Sequence, residues 1–164
     1  MSEKLIMKLL NLLEKNSRLS TSALAAMCGV SEEEIKDTLY ELENDGTIIG
    51  YHTLVNWRKV DVDPVTAMIE VKITPQRDVG FNRIAERIAK FPEVQNLYLM
   101  SGSYDLSVII EAATMQEIAD FVSYKLSTID GVQGTVSHFI LKRYKDDGLL
   151  FEQHETDTRL AVTP

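Results

Sequence analysis

Side chains suited to chemistry concentrate in three stretches. They are the turn Met100-Ser101-Gly102-Ser103-Tyr104-Asp105, a run of charge from Glu32 to Glu43, and the basic patch Trp57-Arg58-Lys59. In the turn, Gly102 lets the backbone reverse tightly and bare N–H groups that can hold a carboxylate. Asp105 can hold an ammonium and Tyr104 can close over it, so Ser101, Gly102, Ser103, Tyr104 and Asp105 suit a small amino-acid-like ligand. The same residues are also ordinary hairpin formers, and that reading stays open. His52, His138 and His154 stand far apart without metal-ligand spacing. A single cysteine, Cys28, leaves no internal disulfide and no Cys-cluster metal site, and its apolar neighbours mark it as core. With no Ser/His/Asp set, no paired carboxylates and no phosphate-binding glycine loop, neither catalytic residues nor a cofactor are expected.

These stretches need elements to position them. Leu5, Ile6, Leu9, Leu12 and Leu13 recur at helical spacing, predicting a helix over about 3–16. Ser20 caps a second helix, Thr21 to Met27, with Leu24 and Met27 inward. After Cys28-Gly29-Val30, Ser31 opens a third. Ser31 and Glu34 have capping-box spacing, and Val30 can staple onto Ile35. Ile35, Leu39 and Leu42 form its buried stripe, Tyr40 lies off it, and Gly46 stops it. Ile48 to Val55, with Gly50 at a turn, reads as a two-stranded wing. Two helices across a glycine turn followed by a hairpin make a winged helix-turn-helix, a DNA-binding layout. A small bundle used only for packing is the competing reading. The expected DNA contacts are Thr21, Ser22, Lys36, Tyr40, Arg58 and Lys59. Glu32, Glu33 and Glu34 suit the helix dipole but repel phosphates, and Asp37, Glu41 and Glu43 extend the acid.

Beyond a linker at 60–64 the pattern becomes β-α-β-β-α-β. Strands are expected at Val65–Ile73, Val94–Ser101, Leu106–Ala112 and Val132–Tyr144, with helices around Phe81–Phe91 and from the Thr114/Glu117 capping box to Gly131. Right-handed crossovers fold this order into a ferredoxin-like sheet with both helices on one face. Ile109 on the third strand, with Val94, Tyr98 and Met100 on the second, leaves an apolar second face, which predicts a homo-dimer or higher homo-oligomer. The expected organisation is an α+β chain. Residues 1–59 form the first domain, 65–145 the second, and 146–164 a polar tail with one apolar knot, Leu149-Leu150-Phe151.

Of the net charge of −8, only −2 falls in residues 1–60, whose seven Lys/Arg face nine Asp/Glu. A generic polyanion binder is disfavoured, yet the first domain is close to neutral. No apolar run approaches a membrane span, and the amphipathic N-terminus lacks a signal-peptide core, so a cytoplasmic protein without a membrane partner is expected.

In order and spacing, Ser31…Leu42-Glu43…Gly46-Thr47-Ile48-Ile49-Gly50-Tyr51 and Gly102-Ser103-Tyr104-Asp105 resemble the leucine-responsive/asparagine-synthase regulator family, Lrp/AsnC, whose second domain is called RAM. The similarity runs from about Leu5 to Tyr144. It implies double-stranded DNA as a partner, dimers that assemble further, often to octamers, and amino-acid effectors held between RAM domains beside a G-x-Y-D turn. That carries an effector role onto Gly102, Tyr104 and Asp105. Where the family often has Arg or Lys, this chain has Asp37, Thr38 and Glu41, a departure that bears on DNA affinity and not on fold. The alternative function is a metabolite-sensing or interaction module with weak or lost DNA binding; an enzyme is disfavoured.

Overall fold

A computed structural model of the chain describes residues 2–62, 64–74 and 81–151. The part of the expected tail beyond 151, His154 included, and Asp63 of the expected linker lie outside the described residues. The chain divides between Val55 and Asn56 into two compact units.

The first unit is three helices, α1 (Glu3–Lys15), α2 (Thr21–Cys28) and α3 (Glu32–Asn44). The two serine caps form as expected. The Ser20 hydroxyl accepts from the Ala23 N–H, and the Ser31 hydroxyl from the Glu34 N–H at 3.1 Å. Gly29, at φ 76, turns the chain between α2 and α3. Leu9, Leu24, Ala25, Ile35 and Leu42 form the core, with Leu39, Val30 and Cys28 packed against it. Met27, expected inside, is 48% exposed. The inward stripe of α2 runs instead through Leu24, Ala25 and Cys28.

The expected wing is absent: 48–56 form no strand. A two-residue hairpin turn demands positive φ, and Gly50 is not among the positive-φ glycines. The segment is held to the end of α3 instead. The Ile48 N–H donates to the Leu42 carbonyl at 2.8 Å, the Thr47 N–H to Asp45 Oδ1, and the Tyr51 hydroxyl to Glu43 Oε1 at 2.8 Å.

The second unit opens with a 3-10 turn, Trp57–Val60. It continues through β1 (Val65–Ile73), α4 (Asn82–Ile88), β2 (Val94–Leu99), β3 (Leu106–Ala112), α5 (Met115–Asp120) and β4 (Val132–Phe139). The sheet order is β2-β3-β1-β4, every pair antiparallel, as a βαββαβ ferredoxin-like chain requires. Ala67, Ile69 and Val71 of β1 and Leu106, Val108 and Ile110 of β3 share one face. They form a single core with Ile84, Ile88, Ile118, Phe121, Leu126 and Ile129. Each large apolar side chain so buried stabilises the fold by about 1.5–3 kcal/mol. Gly131 passes this core at φ 97, and its carbonyl accepts from the Thr74 N–H at 2.8 Å.

Three local readings change. The last helix is not α-helical throughout, because α5 runs on as a π-helix over Phe121–Leu126. The wider turn brings Phe121 and Leu126, five residues apart, onto the same buried core. A bulge between Val94 and Asn96 places Val94 opposite Ile110, on the helix side and away from Tyr98. The second sheet face is therefore mixed. Met68, Ile109, Tyr98 and Val136 share it with Glu70, Ser107 and His138, and Glu70 meets His138 at 3.3 Å. Finally, the start of the expected tail is a small hairpin, β5 (Lys145–Asp146) with β6 (Leu149–Leu150). Its turn residues Asp147 and Gly148 have φ 43 and φ 78, the pattern of an Asp-Gly hairpin turn.

Candidate functional site

The helix-turn-helix presents α3 with an acidic outer surface. Glu32, Glu33 and Glu34 fill its first turn. Lys36 and Tyr40 are exposed beside Asp37 and Glu41, and Tyr40 is 68% exposed. Thr38 faces inward at 1% exposure, its hydroxyl donating to the Glu34 carbonyl. It is a packing residue, which leaves Asp37 and Glu41 as the acidic neighbours of Lys36 and Tyr40 on the outer face. Thr21 is half-buried at the start of α2 and Ser22 is exposed, its hydroxyl 2.9 Å from that of Ser20.

Arg58 and Lys59, expected beside a wing, belong to the second unit. The Arg58 guanidinium donates to the Leu141 carbonyl at 3.1 Å, and Asn56 Nδ2 to the Phe151 carbonyl at 3.3 Å. This basic stretch is built into the second unit rather than into the helix-turn-helix. Tyr51, which sequence reasoning missed as a site-shaping residue, fixes the segment after α3. Its phenol is pushed up to about 12 by burial first and by its hydrogen bond to the Glu43 carboxylate second. The signal available in the sequence was an aromatic donor eight residues beyond a glutamate, too unspecific to choose.

The turn between β2 and β3 brings Ser101 to Asp105 together. Ser101, Gly102 and Ser103 are exposed and Tyr104 is half-buried. Gly102 sits at φ 147, with open space where a Cβ would stand. The Met100 N–H donates to the Asp105 carbonyl at 2.8 Å, and the Asp105 N–H to the Val71 carbonyl at 3.0 Å. The Asp105 carboxylate is already engaged. Oδ2 accepts from the Ile73 N–H at 2.9 Å and Oδ1 from Lys72 Nζ at 3.2 Å. The Ile73 N–H, and after it Lys72, hold the Asp105 carboxyl below the usual aspartate range. Its place is that of a clamp joining the turn to the end of β1. Lys72 was not singled out in the sequence because its alternation on β1 marks only a solvent-facing position. Among the described residues no group of three or more His, Cys, Asp and Glu side chains is placed to hold a metal ion.

Residues 4–46 match the AsnC-type helix-turn-helix domain, and residues 66–150 match the Lrp/AsnC ligand binding domain. The chain belongs to the Lrp/AsnC family of regulators. It is 49% identical over 158 residues, 96% of the chain and 95% of the relative, to the uncharacterized HTH-type transcriptional regulator YugG of Bacillus subtilis. It is 31% identical to the HTH-type transcriptional regulator LrpA of Pyrococcus abyssi, covering 84% of the chain and 94% of that relative. Among solved structures it resembles a transcriptional regulator of Neisseria meningitidis in its L-Met complex. The TM-score there is 0.70 at 27% identity, over 89% of this chain and 94% of that one. The fold also matches the leucine response regulatory protein LrpA of Mycobacterium tuberculosis, with a TM-score of 0.73 at 21% identity over 94% and 99% of the two chains. An Lrp/AsnC chain of this kind is a DNA-binding transcription regulator and not an enzyme. Among the described residues no helix is long and apolar enough to cross a membrane.

Proposed function

We propose that this regulator responds to an amino acid or a similar zwitterion bound at the Ser101–Asp105 turn, and that it works in the cytoplasm as a homo-dimer or larger assembly of its second domains on double-stranded DNA. The observation that carries the reading is the turn itself. Asp105 ties it to β1 through the Ile73 N–H and Lys72, leaving Ser101, Gly102 and Ser103 exposed on a pre-set backbone. Such a backbone favours a carboxylate, and Tyr104 stands at its edge. The match of this domain to a ligand-binding family and the L-Met complex of the neisserial neighbour support the ligand class. Asp105 then acts by shaping the turn, with the effector's ammonium met by groups of an adjoining subunit. The mixed sheet face with Tyr98 and Val136 half exposed supports self-assembly, since a stable interface covers about 800 Å² on each partner. On the DNA side the reading uses Lys36 and Tyr40 on α3, and Thr21 and Ser22 at the start of α2.

The test is a thermal-shift screen of the amino acids on the full chain, followed by titration calorimetry of the best hit on the wild type and on Gly102→Ala. The wild type should be stabilised by at least one amino acid, and Gly102→Ala should bind it more weakly while remaining folded. If no amino acid stabilises the wild type, or the variant binds equally well, the turn is not the effector site.

A further inference from the structure

We propose that the outer face of α1 is a second DNA-binding surface, one that grips the phosphate backbone of duplex DNA without regard to sequence and apart from α3. The proposal extends the DNA side of the function proposed above and needs no effector. In the first unit, which ends at Val55, the Lys and Arg residues are Lys4, Lys8, Lys15, Arg18 and Lys36. All but Lys36 belong to α1 or to the turn that follows it. Lys4, Lys8, Asn11 and Lys15 are spaced by four, three and four residues, which at the helical repeat aligns them in one stripe. Arg18 stands three residues beyond Lys15, just after the helix ends. Each of these positions is exposed. The acids of α1, Glu3 and Glu14, fall about a quarter-turn to one side, so no carboxylate interrupts the stripe. The opposite side of α1 carries Leu9, fully buried, with Leu12 and Leu13, in one core with Leu24 and Ile35.

Three features choose the partner. First, the charges are not cancelled inside the unit. Lys8 donates to the Met27 carbonyl, a neutral acceptor, and Lys4, Lys15 and Arg18 make no side-chain hydrogen bond or ion pair among the described residues. Second, the stripe is linear. From Lys4 to Lys15 it rises about 16 Å, and that length of duplex carries roughly ten phosphate charges over its two strands. A single phosphate meets only part of the stripe, whereas a duplex meets it along its length and releases counterions at each contact. Third, the stripe is polar throughout. A helix that binds an anionic membrane buries an apolar face among the headgroups, and the apolar face of α1 is already committed to the core. The reading helix cannot supply the same grip, since its one cation, Lys36, stands among Glu33, Asp37 and Glu41. Helices α1 and α3 each bury one side in the same core, Leu9 from the first and Ile35 and Leu42 from the second. Their outer faces therefore look in different directions, and a duplex read by α3 leaves the α1 stripe for another stretch of backbone. Acid is thus gathered on the helix that reads and base on the helix that holds.

The experiment is fluorescence anisotropy of the full chain on a labelled duplex of scrambled sequence, about three helical turns or roughly 30 bp long, at several salt concentrations and without amino acids. The wild type should bind with the affinity of a non-specific complex, about 10⁻⁴–10⁻⁶ M. The triple variant Lys4→Gln/Lys15→Gln/Arg18→Gln should lower the salt slope by about 2–3 for each engaged α1 and weaken binding at low salt by about tenfold or more. Lys36→Gln should lower the slope by no more than about 1 per unit. Lys4→Arg/Lys15→Arg, which keeps the charges, should retain the wild-type slope, and an unchanged melting temperature shows that each variant is folded. An unaltered slope and affinity in the triple variant overturns the proposal. So does loss of scrambled-duplex binding in Lys36→Gln alone, which would place the grip on α3. Binding to phosphatidylglycerol vesicles without binding to the duplex would make the surface a membrane contact and also overturns it. A failed amino-acid screen leaves this measurement standing, so the effector site and the α1 surface fail separately.

Discussion

Three glycines of the second unit separate backbone strain from steric clash, and they make the most exacting test of the fold described here. Gly131 stands at φ 97, and a Cβ there would lie 2.7 Å from Ile84 Cδ1. Ile84 is 3% exposed within the main core, so its methyl group has little room to retreat. An alanine at this φ costs about 1–2 kcal/mol in backbone strain, and forcing a methyl into a filled core adds about 1–3 kcal/mol. Gly131→Ala should therefore lose about 2–5 kcal/mol. Gly102, at φ 147 with open space at its Cβ, bears strain alone, and Gly102→Ala should lose about 1–2 kcal/mol. Gly134 on β4 has neither strain nor a neighbour within 4 Å, so Gly134→Ala should be neutral or slightly stabilising, by up to about 1 kcal/mol. Urea denaturation of the three variants with unchanged slopes reads this order directly. If Gly131→Ala is no worse than Gly102→Ala, the close passage of Gly131 over Ile84 is wrong, and with it the seating of α4 beside the turn that leads into β4.

On α3, Ile35→Ala should cost about 2–5 kcal/mol and Leu39→Ala, only half-buried, less; Tyr40→Ala should leave the melting temperature unchanged, and equal shifts for Leu39 and Tyr40 would show that the buried face is misassigned. DNA binding, measured with the DNA upstream of the gene at several salt concentrations, should be modest. Each neutralised phosphate adds about 0.9 to the salt slope, and α3 offers one exposed cation, Lys36, so the two reading helices of a dimer contribute a slope of about −2, and a much steeper one once Lys4, Lys15 and Arg18 are replaced would contradict the acidic surface. Arg58→Ala should destabilise the second unit by removing its bond to the Leu141 carbonyl, whereas Lys59→Ala should not; equal melting shifts would deny Arg58 its structural place. The Asp105 carboxyl titrates below its unfolded value, so its contribution to stability is complete above pH about 4–5 and fades as pH falls through the folded value. Asp105→Asn should flatten that acid limb, and an unchanged profile would exclude the clamp.

What could be read from the sequence was what short-range chemistry decides. Ser20, Ser31 and Thr114 cap their helices because a hydroxyl and an N–H three residues on are always within reach of each other. The alternation of Ala67, Ile69 and Val71 fixes a core face whatever the partner strand. What was missed depends on distant partners. The bulge at Val94 follows from pairing with β3, and the π-turn from the need to seat both Phe121 and Leu126 in the core. The wing failed because a β-rich composition over 48–55 has no second strand to face, and the end of α3 captures the segment through Tyr51 and Glu43. The Asp147-Gly148 hairpin was legible and was obscured by the polar residues around it. At the candidate site, the turn from Ser101 to Asp105 was visible as a motif. The role of Asp105 was not, because it depends on Ile73, thirty-two residues away.

The acidic first turn of α3 joins stability and function in opposite senses. Glu32, Glu33 and Glu34 lie where the positive end of the helix dipole favours them, so they stabilise the helix that must approach DNA. The same charges meet phosphates unfavourably, and the first sixty residues carry no net positive charge to compensate. On the proposed function, a single helix-turn-helix of this composition would bind DNA weakly. Linking two or more through assembled second domains changes the outcome without any new contact, because the second unit then binds at the effective concentration set by the first. Affinity gained this way depends on the spacing of the units, and a ligand that alters their arrangement alters DNA affinity directly. A strongly basic reading helix would bind one unit at a time and respond less to assembly. On the proposed function, a weak individual α3 would let an effector bound at the Gly102 turn, in a different unit of the chain, control occupancy of DNA.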